Sequence, residues 1–253
     1  MDQDWVDAVV GARAGVGVFD MPEVTEMAEA YRLQDAYIAG VPGIVGGFKL
    51  AVNGAPQMAH FAVTEPVCAR ILADEIYQTG VVLPLAGFMS VSVEPELCAI
   101  LGEAVGDLSG PVDRAGAMAL IDRFHASIEV IDQRGVAMPT LKLSQAVALN
   151  VFNAGIVLGE TSVAPDQLDL PNMHVTLELD GAVVSETTGT PPQDPVEAVM
   201  WLVNHLQARG VPLSPGMVVM CGTHIPIRHL EDHVRDITIT MSGLGAVSFS
   251  LGA

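Results

Sequence analysis

A chain of 253 residues, half of them apolar, is long enough to enclose a large core, either as one large domain or as a small domain attached to a larger one. Only 16% of its residues are charged, and 30 Asp and Glu outweigh 11 Lys and Arg. The resulting formal charge of -19 opposes binding to nucleic acid or anionic lipid. Mean hydropathy is high at +0.43, yet no stretch approaches the roughly 18 uninterrupted apolar residues of a membrane-spanning helix. The acidic start "MDQDWVDAVV" is also unlike a signal peptide, so the apolar excess points to extensive burial, including burial between copies in a homo-oligomer.

In chain order, residues 1–40 carry helical spacing in two segments broken by glycines and Pro22, the second running from about Glu23 to Tyr37. From Val41 the texture changes to short apolar runs punctuated by Gly and Pro, which are strand signals that mark a second region over 41–253. "VDRAGAMALIDRFHASIEVID" reads as a helix leading into a strand that begins near Ala126, and "LSQAVALNVFNAGIVLGE" as a helix followed by a strand. Two alternating runs around Asp180-Gly181 predict a hairpin. "DPVEAVMWLVNHLQARG" predicts an amphipathic helix ended by Gly210, and "GMVVMCGT" and "DITITMSGLGAVSFSLGA" close the chain as strands. The sum is an α+β architecture with mostly antiparallel short strands.

Within "SVSVEPELCAIL", Glu94 and Glu96 fall on one strand face, with Cα atoms roughly 6.6 Å apart at about 3.3 Å per residue. That spacing lets both side chains converge on one cation, whereas an edge strand ending its ladder at Pro95 would put both in water. Glu129, in "SIEVID", is a third carboxylate in an apolar run. Three carboxylates suit a hard divalent ion, Mg²⁺ or Mn²⁺. Zinc would want His or Cys, and no HExxH spacing exists. Only two lysines occur. Lys49, in the apolar "VGGFKLAVNG", either snorkels to the surface or lies beside the carboxylates, where it would bind or polarise an oxyanion. Cys68, Cys98 and Cys221 are widely spaced in apolar surroundings and read as reduced buried thiols of a cytoplasmic protein.

Taken in order, "VGGFKLAVNG", "VSVEPELCAIL", "SIEVIDQRG", "NVFNAGIVLG" and "AVMWLVNHLQARGVPLSPGMVVMCGT" resemble the fumarylacetoacetate hydrolase superfamily, from about Tyr31 to the C-terminus. The likeness is greatest to the branch holding 2-oxopent-4-enoate hydratase and 4-oxalocrotonate decarboxylase of bacterial meta-cleavage pathways. The resemblance implies a mixed β-roll with a smaller helical N-terminal region, metal ligation by Glu94, Glu96 and Glu129, an active-site Lys49, and a substrate-holding Thr223 in "CGTH". There are departures. Val67 stands at an expected acid with Glu65 nearby, and Asp-Asn-Ala-Ser has become "LNVFN", where Leu149 and Phe152 are replacements and only Asn150 matches.

The implied substrate is a small 2-oxo or 2-hydroxydienoate acid that binds the cation through its carboxylate and C2 oxygen. Hydration at C4 and decarboxylation use the same electron sink. Phe152 in place of a small polar residue favours an apolar substrate tail and hence hydration, with Thr223, Phe152 and Asn150 as substrate-binding residues. Arg32, Arg70 and Arg134 remain candidates for a second anion site, and His60 and His224 for proton carriers. A catalytically impaired subunit that serves a neighbouring pathway enzyme is the alternative of a different kind.

Overall fold

Two helices precede the first strand in the computed structural model, which describes residues 3–252. Met1 and Asp2 of the acidic start, and Ala253, lie outside it. Helix α1 covers Gln3–Ala14 and α2 covers Met27–Gly40. The second helix starts four residues later than its spacing predicts because Pro22 sets up a turn, with the Val24 N–H on the Pro22 carbonyl.

The strands are β1 (Val45–Ala51), β2 (Val67–Leu72), β3 (Ile76–Gln78), β4 (Val81–Pro84), β5 (Ser92–Leu101), β6 (Ile121–Ile131), β7 (Asn153–Val163), β8 (His174–Leu179), β9 (Ala182–Thr188), β10 (Val218–Thr223), β11 (Arg228–His229), β12 (Asp236–Met241) and β13 (Gly245–Gly252). The remaining helices are α3 (Ala55–Phe61), α4 (Arg114–Leu120), α5 (Leu143–Ala148) and α6 (Pro195–Ala208).

Local chemistry explains several of these boundaries. Asp194 caps α6 by accepting from the N–H groups of Val196 (2.8 Å) and Glu197, Pro195 occupies the first turn, and left-handed Gly210 ends the run. The apolar face of α6, including Val199, Leu202, Val203 and Leu206, is fully buried. The β8–β9 hairpin turns through Asp180 and Gly181, both at positive φ, as a tight two-residue loop requires. Strand β6 begins at Ile121, five residues before the predicted start. Its partner β5 runs on to Leu101, and pairing Leu101 with Ile121 draws Arg123–His125 into the ladder, with Asp122 left over at a register shift.

One sheet has the order β2-β1-β10-β5-β6-β7-β3, with β11 added to β5, and the other has the order β4-β13-β12-β8-β9. Pairings are antiparallel except β1/β10, β3/β7 and β4/β13. Contacts between β2 and β7, near opposite ends of the first sheet, show that it curls on itself. Alternation then sorts its side chains. Val93, Leu97, Ala99 and Leu101 of β5 join the main core beneath the helices and the second sheet, whereas Cys98 and Ile100 join Ile71, Ile156, Leu158, Val218 and Met220 in a smaller cluster on the other face. Glu94 and Glu96 lie on that second face, at one end of it. Helices α1 and α2 contribute Trp5, Val9 and Tyr37 to the main core.

Candidate active site

Strand β5 is central, flanked by β10 and β6, so its glutamates are not edge residues in water. Pro95 is tolerated because it falls in the gap between two pairings, β10 ending with Thr223 opposite Glu96 and β11 starting with Arg228 opposite Val93. The Pro95 carbonyl is taken by the His224 N–H at 3.1 Å and by the Thr223 hydroxyl at 3.2 Å. Glu94 lies directly across from Glu129 in the β5–β6 register, and Glu96 is two residues along on the same face.

These three glutamates each bring a carboxylate oxygen within 4.8 Å of the others. Glu96 and Glu129 are almost completely enclosed. Lys49 is buried as well, with 2% of its surface exposed, so it does not snorkel. Its ammonium group pairs with Glu129 and donates to the Val151 carbonyl at 2.8 Å. Glu96 accepts the Gly222 N–H at 2.9 Å. Burial, and after it the Glu129 charge, push the Glu94 carboxyl up to about 8, with Lys49 acting in the opposite sense; burial likewise holds Glu96 well above the usual carboxylate range. A single lysine facing three carboxylates leaves negative charge that a divalent cation would neutralise. The all-oxygen donor set fits a hard ion such as Mg²⁺ or Mn²⁺.

The carbonyl that holds Lys49 sits on a strained segment. Asn150, Val151 and Phe152 all have left-handed φ angles, 54°, 46° and 57°, a conformation that β-branched Val151 adopts only at an energetic cost. Asn150 pins this segment. Its Oδ1 accepts the Arg70 N–H and its Nδ2 donates to the Arg70 carbonyl, each at 2.8 Å. Asn150 is fully buried and is absent from the cavity wall, so the substrate-binding position expected for it is not what its geometry provides.

A cavity of about 250 Å³ opens on the cluster. Phe152 and Thr223 line it, and Phe61, Ile131, Met138, Leu141, Leu143 and Ile227 make most of the remaining wall apolar. The Thr223 hydroxyl also engages its own loop, at Ile225. The structure brings none of the three candidate arginines to this cavity. Arg32 pairs with Glu29 at the surface, Arg70 with Asp35 and Gln34, and Arg134 with Asp132 and carbonyls of Ala12 and Gly87. His60 is exposed against Phe61. His224 is buried away from the cavity, and burial lowers its ring to about 4, which keeps it neutral.

Val67 and Glu65 face a separate, larger cavity of about 730 Å³ between α2, α6 and residues 62–67. There Glu65 accepts the Trp201 indole N–H at 3.2 Å. Leu149 is core. Residue reasoning missed the carboxamides of Asn53, Gln57 and Gln133, all in the cavity wall. Nothing local marks Asn53, because β1 ends at Ala51 and the left-handed Val52 breaks the strand alternation before it.

Comparison with known proteins agrees with this architecture. The chain is 25% identical to a 4-oxalocrotonate decarboxylase of Pseudomonas sp over 232 residues, 91% of this chain and 88% of that one. It is 28% identical to a 2-keto-4-pentenoate hydratase of Paraburkholderia phymatum over 206 residues, 81% and 77% of the respective chains. The solved 4-oxalocrotonate decarboxylase of Pseudomonas putida G7, complexed with magnesium and adipate, superposes with a TM-score of 0.84 at 21% identity, covering 98% of this chain and 96% of that one. The family model described as fumarylacetoacetate (FAA) hydrolase C-terminal matches residues 66–249, most of the chain and every strand of the carboxylate cluster, and this chain belongs to that family.

Proposed function

We propose that this protein is a divalent-metal-dependent hydratase, adding water to a 2-hydroxy-2,4-dienoate such as 2-hydroxypenta-2,4-dienoate to give a 4-hydroxy-2-oxo acid. The observation that carries this reading is the cavity wall. Three carboxylates and Lys49 gather at one end, and apart from the Thr223 hydroxyl the remaining side chains of the wall are apolar or carboxamide, with no second Arg, Lys or His among the described lining residues. Such a site takes a monocarboxylate by its charged end and packs the hydrocarbon tail against Phe152, Leu143 and Ile131.

Held by Glu94, Glu96 and Glu129, a Mg²⁺ or Mn²⁺ ion would supply Lewis-acid stabilisation of the charge that builds at the substrate's C2 oxygen. The chain's own contribution begins with Lys49. An ammonium group has three N–H donors, Glu129 and the Val151 carbonyl take two, and the third is free to meet that oxygen. The strained Val151 carbonyl fixes the direction of the third donor. Apolar walls exclude competing water from the tail. Protonation at C5 then yields the conjugated 2-oxo-3-enoate, and water addition across C3 and C4 completes the reaction. The hydratase relative supports this assignment.

Decarboxylation of a 2-oxo-3-enedioate is the competing reading, favoured by the overall likeness to the decarboxylase fold. A dicarboxylate would bring its second charge to a wall that offers it no cation. We extend the reading to a homo-oligomer in a reducing, cytoplasmic compartment. Three unpaired buried thiols and the exposed apolar side chains of Val82, Val183 and Val184 support that extension.

The experiment is turnover of freshly generated 2-hydroxypenta-2,4-dienoate, followed by ultraviolet absorbance and mass spectrometry of the product, with Mg²⁺, with Mn²⁺ and with EDTA. Metal-dependent formation of 4-hydroxy-2-oxopentanoate is expected. Release of carbon dioxide from the dicarboxylate, with no hydration of the monocarboxylate, would replace hydratase by decarboxylase.

A further inference from the structure

Water addition needs a group that holds the water at C4, two carbons beyond the oxygen carried at the charged end. The described titratable groups lining the cavity are Lys49, paired with Glu129, and the three glutamates that converge as the proposed cation ligands. The holder must therefore be a neutral hydrogen-bonding side chain, anchored close to the cluster and still open on the cavity.

Asn53 meets these conditions. It lies two residues past the end of β1, after a left-handed turn at Val52 (φ 57°), a conformation unfavourable for a β-branched residue. Its Nδ2 donates to the Cys221 carbonyl at 2.9 Å, which fixes which end of the amide faces outward. The next residue, Gly222, has φ +108°, and a Cβ there would overlap the Asn53 amide. The same Gly222 donates its N–H to Glu96. The Asn53 amide is thus packed onto the peptide that holds a cluster carboxylate. Asn53 lines the cavity, and with Nδ2 committed to Cys221 its Oδ1 has no hydrogen-bond partner among the described residues. Gln57 is less suited because its Oε1 is committed to the Gly54 N–H at 3.0 Å, and Gln133 lies on the loop after β6 without an anchoring bond.

We propose that Asn53 is a water-positioning residue whose Oδ1 accepts one O–H of the water that attacks C4. This rests on the hydratase reading. In the step, a bond forms from the water oxygen to C4, the C3–C4 π pair moves towards C2, and C3 takes one proton while the water loses one. The net change is addition of H₂O with no redox change. Asn53 itself neither gains nor loses a proton.

Because the dienol is first converted to an enone and only then hydrated, the two steps can be read separately. The comparison uses wild type, Asn53→Ala and Asn53→Ser with saturating Mn²⁺ in D₂O. Dienol loss and deuterium entry at C5 report ketonisation, and 4-hydroxy-2-oxo acid reports hydration. For Asn53→Ala we expect hydration to fall about 100-fold, with ketonisation, KM and Mn²⁺ affinity within about threefold, so that the enone accumulates. Asn53→Ser, which keeps an acceptor, is expected to recover about tenfold over Ala.

Wild-type hydration by Asn53→Ala, a parallel fall in ketonisation and Mn²⁺ affinity, or a Ser variant no better than Ala would each overturn the assignment while leaving the hydratase reading intact. A wild-type enzyme that ketonises without hydrating would remove the hydratase reading, and this proposal with it.

Discussion

The two cavities differ in the opposite way from their sizes. The larger, at about 730 Å³, is lined by charges that compensate one another: Arg209 reaches both Asp35 oxygens at 3.1 Å, Arg70 takes the same Asp35, and Arg32 pairs with Glu29. The smaller, at about 250 Å³, ends in three buried carboxylates and one lysine. A folded chain balances its buried charge unless something else will balance it. The excess of carboxylates, rather than volume, is why the proposed cation and substrate are assigned to the smaller cavity.

Removing a ligand carboxylate tests that contrast most severely. Glu96→Gln keeps the shape and the acceptor for Gly222 but withdraws one negative charge from the cluster. Loss of turnover by about 10³-fold or more and loss of Mn²⁺ binding by calorimetry are expected. The same variant should melt at a higher temperature than wild type when both are metal-free at alkaline pH, since a neutral amide replaces a carboxyl whose charge burial opposes. Unchanged Mn²⁺ affinity would show that the cluster is not a cation site. Lys49→Met acts next most strongly. It leaves Glu129 buried without its partner, so kcat should fall about 100-fold and metal-free stability by about 3 kcal/mol. Saturating Mn²⁺ should restore the stability but not kcat.

The sign of the pH response separates the cluster from the rest of the molecule. With Glu94 pushed up to about 8, the metal-free folded state keeps a proton that the unfolded chain has already lost above its ordinary 4.5. The folded state binds more protons in that window, so this contribution to stability declines as pH rises from about 4.5 to about 8. His224 works the other way. Lowered to about 4, it stays neutral when folded, and stability is lost as pH falls below 6.5. Melts between pH 6.5 and 8 therefore isolate the carboxylates. In that range the metal-free protein should lose stability with pH while the gain on adding Mn²⁺ grows, because the cation takes the place of the proton. A Mn²⁺ gain independent of pH would contradict the buried, protonated cluster.

The parts of this site legible in the sequence are those written in strand alternation. Glu94 and Glu96 two apart, Glu129 in a second apolar strand, and Lys49 in a third are all patterns of period two, and the sheet brings all four to one end of one face. The parts that were hidden depend on pairings distant in sequence. Nothing local in "LNVFN" says that the Asn150 amide closes on the Arg70 backbone 80 residues away, a clamp that anchors the left-handed run from Asn150 to Phe152. Arg70 was equally unreadable, since its partner Asp35 lies 35 residues away on α2, whereas the pairs Arg32–Glu29 and Arg134–Asp132 are local in sequence. Strand β6 began early for the same reason, its length being set by β5 rather than by its own apolar run.

The smallest expected effect belongs to the larger cavity. Asp35→Asn removes the carboxylate shared by Arg209 and Arg70, but Asp35 is 43% exposed and its pairing with Arg209 is screened by water. Arg70 retains the Gln34 Oε1 at 2.8 Å, and Arg209 retains its stacking over the Tyr31 ring. The loss should be about 1 kcal/mol or less in denaturant melts. Arg70 is also the residue whose backbone clamps Asn150, so the variant asks whether the side-chain pairing on one side of β2 is felt by the strained segment on the other. If Arg70's backbone is held by its ladder with β1 rather than by its side chain, kcat and KM stay at wild-type values. A fall in kcat with KM unchanged would show that the compensated cavity is coupled through β2 to the carbonyl that aims Lys49, and that the two cavities form one device.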